Sequence, residues 1–143
     1  MSIPVPLDEL AAALDRRSNA AYLLTVGEDG TTHCVASTVE WAGEELVVPA
    51  GRTSARNAAC RGHVVLLSPP AAGLATPSPG GDGASPADGY SLIVDAEVTA
   101  TSPLEGAVGS TVRVRPTHAV LHRPAVAPNG RRGHDCVHVY EEA

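Results

Sequence analysis

The sequence predicts a mainly β chain, an antiparallel barrel carrying two short helices. Three observations point there. The apolar set is Val, Leu, Ala and Ile, with no Phe and one Trp, a mixture that favours strands. Short apolar runs alternate with polar residues at period two, and turn-forming clusters separate them without the regular helices of a βα alternation. The chain has 143 residues, 43% of them hydrophobic, enough to bury a core as one domain over 1–143 without cross-links.

Leu7, Leu10, Ala11 and Leu14 fall at helical spacing, with Asp8 and Glu9 in the first turn and Arg16 and Arg17 in the last. That arrangement suits the helix dipole and predicts a short helix ending near Ser18 and Asn19. Residues 21–26 read as a strand, Glu28, Asp29 and Gly30 as a turn, and 31–41 as a second strand. A further turn at Ala42, Gly43 and Glu44 leads into 45–49, so the economical arrangement is a three-stranded meander.

Thr53 or Ser54 can cap a second helix that reaches Arg61, with Gly62 suited to its exit. Residues 63–68 then form a buried strand. Between 69 and 89 the chain is Pro, Gly, Ala and Ser with an isolated Leu74, which predicts a mobile loop and no domain boundary. Strands follow at 90–100, 109–115 and 117–123, then a loop at 124–133 and an alternating segment at 135–140. Six or seven strands and no internal repeat imply a barrel that closes on itself.

The formal net charge of −6 argues against nucleic acid as a partner, because backbone binding needs a positive field. No apolar run approaches 18 residues and the start, Met1-Ser2-Ile3-Pro4, lacks signal-peptide character, so a cytoplasmic protein without a membrane partner is expected. Cys34, Cys60 and Cys136 are odd in number and lack CxxC spacing, which leaves reduced thiols as the default.

Chemistry concentrates at residues 51–57, Gly51-Arg52-Thr53-Ser54-Ala55-Arg56-Asn57, where a strand ends and a helix begins. Free amides, hydroxyls and two guanidinium groups are the components of an anion site. The same residues are also what a capped helix with two solvated arginines would show.

The element order and several stretches resemble the pyridoxamine 5′-phosphate oxidase-like, or flavin-reductase-like, split-barrel family. They are the opening helix, the hairpin Tyr22-Leu-Leu-Thr-Val-Gly-Glu-Asp-Gly-Thr-Thr-His33, Arg52-Thr53 with Asn57 ahead of Val64-Val-Leu-Leu67, Gly89-Tyr-Ser-Leu-Ile-Val-Asp-Ala-Glu97, and Val112-Arg-Val-Arg-Pro116. The resemblance covers most of the chain. It implies a split antiparallel barrel and a homodimer that holds FMN, or in some branches a deazaflavin coenzyme (F420) or haem, in a groove between subunits. An oxidoreductase acting on a small molecule is the implied activity.

Carried over by position, Arg52, Thr53 and Asn57 would meet the cofactor phosphate, with a hydroxyl or amide from Ser54. His33, Val35 and Ser37 belong to the stretch that would run along the ring system. Many members carry a Lys three residues before the position of Asn57. This chain has Ser54 there and no Lys at all, so Arg52 or Arg56 must supply the charge with a different, planar geometry. That departure raises the alternative of a cofactor-less ligand-binding or interaction module.

His134, Cys136 and His138 share one face if extended and are metal- or haem-competent, but successive ligands would stand about 7 Å apart along a strand. Packing of Cys136, with the histidines near His118 and His122, is the plainer reading. Cys34 and His33 point to opposite faces and cannot act together. Asp95 and Glu97 read as a solvated face, Trp41 and Tyr90 as core anchors or ring neighbours, and no catalytic residue is assigned.

Overall fold

The computed structural model describes residues 2–71, 89–103 and 109–122, and the backbone of 125–126 and 132–133. Most of the predicted loop, 72–88, lies outside the described residues, as do His134, Cys136 and His138. The elements are β1 (Ser2–Pro4), a 3-10 turn (Leu7–Glu9), α1 (Leu10–Asp15), β2 (Ala20–Val26), β3 (Thr32–Thr38), β4 (Glu40–Ala42), β5 (Glu45–Ala50), α2 (Arg52–Arg61), β6 (His63–Ser68), β7 (Ser91–Pro103), β8 (Ser110–His122), β9 (Ala125–Val126) and β10 (Arg132–Gly133). No helix among the described residues is long and apolar enough to cross a membrane.

One antiparallel sheet runs β3-β2-β6-β7-β8-β5-β4, with β1 added on β8. Its two end strands, β3 and β4, are consecutive in the chain yet not paired, so the barrel is split and does not close as the residue pattern alone suggested. The predicted strand 31–41 is broken at Val39. That residue is buried, and its N–H leaves both ladders to donate to the Asn19 carbonyl at 2.9 Å.

The meander holds in part. β2 pairs with β3, and β4, the end of the predicted second strand, pairs with β5. The break at Val39 separates β3 from β4, however, and the other edge of β5 pairs with β8, placing Leu46 opposite Val114 and Val48 opposite Val112. All four side chains are fully buried, and each such burial stabilises by about 1.5–3 kcal/mol. Pairing β5 with β3 would deny them that core.

The two strands predicted around Pro116 are one. Asp95 faces His118 and Ala96 faces Pro116, so Thr117 is the extra residue of a bulge. A bulge is where a residue without an N–H fits inside a sheet. Within the predicted loop 124–133 the backbone forms a small hairpin, β9 with β10.

The first helix opens as a 3-10 turn over Leu7–Glu9 and stops where Ser18 and Asn19 take φ of 55° and 52°, left-handed values that a helix cannot continue through. Leu10 and Leu14 point into the core. Arg17 is buried and donates to the carbonyls of Ala13 at 2.8 Å and Tyr90 at 2.9 Å.

α2 lies against β2, β7 and β8. The side it buries is made of Ser54, Ala55, Asn57 and Ala58, small enough to bring the helix close to the sheet. It ends at Gly62, whose φ of 70° gives the left-handed exit that glycine permits.

Candidate functional site

α2 follows β5 directly, with Gly51 as an extended cap (φ −70°, ψ 168°) and no side chain capping the helix. Thr53 and Ser54, read from sequence as possible caps, sit inside the first turn instead. The first helical bond runs from the Ala55 N–H to the Gly51 carbonyl at 3.0 Å. By helix geometry the N–H groups of Arg52, Thr53 and Ser54 then have no helical acceptor and stand at the positive end of the dipole.

Arg52, Thr53 and Arg56 are exposed. Arg52 and Arg56, four residues apart on one helical face, make no ion pair or hydrogen bond among the described residues. Two uncommitted guanidinium groups therefore stand on the exposed side of a helix whose first-turn N–H groups have no helical acceptor, groups of the kind that accept a phosphate or carboxylate.

Ser54 and Asn57 face the other way. The Ser54 hydroxyl is buried with no hydrogen-bond partner among the described residues, and the residue as a whole is 1% exposed. Asn57 is 6% exposed and donates its Nδ2 hydrogen to the Thr25 hydroxyl at 3.3 Å. That bond anchors Asn57 to β2. A methyl at Gly27 would stand 3.0 Å from Asp29 Oδ1 and 3.6 Å from Asn57 Oδ1, so the crowding there is within the hairpin turn, with α2 at ordinary contact distance.

His33, Val35 and Ser37 lie opposite Thr25, Leu23 and Ala21. They are half-buried, alternating with exposed Thr32, Cys34, Ala36 and Thr38. Ser37 donates its hydroxyl to the Pro49 carbonyl at 2.7 Å, a tie across the split between β3 and β5. β3 is linked to α2 through its neighbours: His33 pairs with Thr25, the partner of Asn57, and Ser37 is tied to Pro49, two residues before Gly51. Arg52, Thr53 and Arg56 thus lie exposed on α2, while His33, Val35 and Ser37 lie half-buried on β3. Cys34 and Cys60 are free and exposed.

Some groups escaped sequence reasoning. Thr25, the partner of Asn57, is 1% exposed; its inward phase with Ala21 and Leu23 was the available signal. Asp95, read as solvated, lies on the outer face between His63 Nε2 at 3.6 Å and His118 Nδ1 at 3.4 Å, a cluster only strand register reveals. His122 Nδ1 meets the Ser2 hydroxyl at 3.1 Å. Trp41 is half-buried against the core with its indole nitrogen unpartnered. Among the described residues no three His, Cys, Asp or Glu side chains are grouped to hold a metal ion.

Two carboxylates are held below their ordinary range. A hydrogen bond from Arg113, at 2.9 Å, lowers Glu45, helped by Thr99 and the charge of Arg115. Asp29 is lowered by the N–H and hydroxyl of Thr31, each at 3.0 Å.

No family model matches the chain. An uncharacterized protein of Mycobacterium bovis is 37% identical over 151 aligned positions, covering 93% of this chain and 93% of its own length. Among solved structures, an F420 reductase superposes with a TM-score of 0.53 at 21% identity, covering 75% of this chain and 93% of that one. A putative pyridoxamine 5′-phosphate oxidase of Listeria innocua gives 0.53 at 16% identity, over 80% and 96%. The chain therefore belongs to one family with the mycobacterial protein, and its fold is that of the pyridoxamine 5′-phosphate oxidase-like split barrels.

Proposed function

We propose that the protein binds FMN by its phosphate at the start of α2 and acts as an oxidoreductase on a small-molecule substrate in the cytoplasm. The observation that carries this reading is the start of α2, uncapped by any side chain and bearing the exposed, uncommitted Arg52 and Arg56. When bound, FMN supplies hydride transfer. The chain's own residues grip, orient and shield. Arg52, Arg56 and the amides hold the dianion. Val35 offers apolar surface to a planar ring, and His33 closes the far end. Ser37, committed to Pro49, keeps β3 against β5 and so fixes the width of the groove.

FMN and riboflavin differ only in the phosphate and so test this directly. Titration of the protein into each, read by flavin fluorescence, is expected to show FMN binding with riboflavin weaker by at least roughly tenfold. Equal affinity for the two, or no FMN binding at tens of micromolar, defeats the proposal. The deazaflavin coenzyme F420 is the second reading, favoured by the fold neighbour named an F420 reductase; its binding in place of FMN in a parallel titration decides between them.

The working unit in this reading is a homodimer. Strand register lines Ala36, Tyr22, Leu67, Ile93 and Val120 across the outer face of five adjacent strands. Tyr22 is 41% exposed. A contiguous apolar row of this kind is what a second copy would cover.

A further inference from the structure

A cavity of about 570 Å³ opens between the 3-10 turn and α1, the β4–β5 turn, and the bulge of β8. Its size falls within the range of small-molecule sites. Glu44 precedes the first residue of β5 and α2 follows the last, so about 17 Å of strand separates this cavity from the anion site.

Its walls are Leu7, Ala11, Trp41 and Pro116, and its charged groups are Asp8, Glu44 and Arg115. Leu7 is 47% exposed, a large apolar side chain left at the mouth. Asp8 and Glu44 come from different elements and make no ion pair or hydrogen bond among the described residues. Arg115 also lines the cavity, with its charge paired to Glu45 at 3.7 Å. The cavity thus brings together Trp41 and two carboxylates that form no ion pair among the described residues, its one arginine being paired with Glu45, on a protein whose net charge is −6.

We infer that this cavity binds a small organic cation with an apolar body. An ammonium group set against Trp41 gains from the negative face of the indole ring. Asp8 and Glu44 supply its counter-charge from two sides, and the apolar body covers Leu7, Ala11 and Pro116. An anion would face two carboxylates, and a neutral ring would leave their attraction unused.

Trp41 is the only tryptophan, so its emission reports on this wall alone. Benzyltrimethylammonium, benzyl alcohol and 3-phenylpropanoate are titrated into the full chain with excitation at the red edge of indole absorption. The cation is expected to change the emission saturably, with half-saturation at least roughly tenfold below either comparison ligand. The double variant Asp8→Asn, Glu44→Gln, altered only at exposed side chains that form no ion pair among the described residues, is expected to shift that midpoint upward by roughly tenfold while the circular dichroism spectrum is unchanged. A response linear in concentration, one shared by all three ligands, or one indifferent to the double variant overturns the inference. None of these outcomes depends on cofactor binding at α2.

Discussion

The side-chain amide of Asn57 donates to the hydroxyl of Thr25 at 3.3 Å, both groups buried, and this bond ties α2 to the first strand of the β2–β3 hairpin. Thr25→Val leaves the amide without its acceptor, a loss of about 1–3 kcal/mol for a buried polar group. Asn57→Ala should cost a similar amount. Because the two side chains share one bond, the double variant is expected to cost less than the sum of the singles. Urea unfolding of the four proteins measures this, and strict additivity would show that the bond contributes nothing.

The fold was legible where burial has a local period. Ala21, Leu23 and Thr25, and likewise Leu92, Val94 and Ala96, alternate inward, so β2 and β7 could be read directly. The pairing of β5 with β8 could not, because Leu46 and Val48 are satisfied by Val112 and Val114, more than sixty positions away, and no local pattern encodes that choice. At the site, the exposed Arg52 and Arg56 were found as a charged pair. The inward turn of Ser54 and Asn57 follows from their spacing with Ala55 and Ala58 along one helical face. A motif carried over by position records which residues are present, not which way each one faces.

Acid should weaken the outer end of β5. Glu45 accepts from Arg113 at 2.9 Å and lies 3.7 Å from Arg115, and its folded pKa is lowered from the ordinary 4.5. A lowered folded value means the contribution is fully present above that ordinary value and is lost as pH falls through the folded one. Glu45→Gln should therefore lower the melting temperature at pH 7 and lose less of it on acidification to pH 3. Parallel melting curves from pH 7 to pH 3 would disprove this role for Glu45.

Tyr22 shares a register row with Leu67 and Ile93 on the outer face and is 41% exposed. A charge placed there is solvated in a monomer, where a surface substitution changes stability by about 0.5 kcal/mol or less, but is stranded at a covered apolar interface. Tyr22→Glu is expected to halve the mass seen by light scattering while leaving the circular dichroism spectrum intact. An unchanged mass would place any interface on another face.

Gly51 caps α2 without a side chain, its φ of −70° is open to any residue, and a Cβ there would meet nothing within 4 Å. An Asp at this position can accept from the free amides of the first turn and place its charge at the positive end of the dipole. Gly51→Asp should therefore stabilise the fold by about 0.5–1 kcal/mol, part of it from the reduced freedom of the unfolded chain. The same carboxylate would occupy the amides and repel an incoming phosphate, so FMN affinity should fall by roughly tenfold or more. Gly51→Ala, which supplies no acceptor, separates the two effects and should leave FMN binding close to wild type. Higher stability with undiminished FMN affinity in Gly51→Asp would mean that the phosphate is held elsewhere.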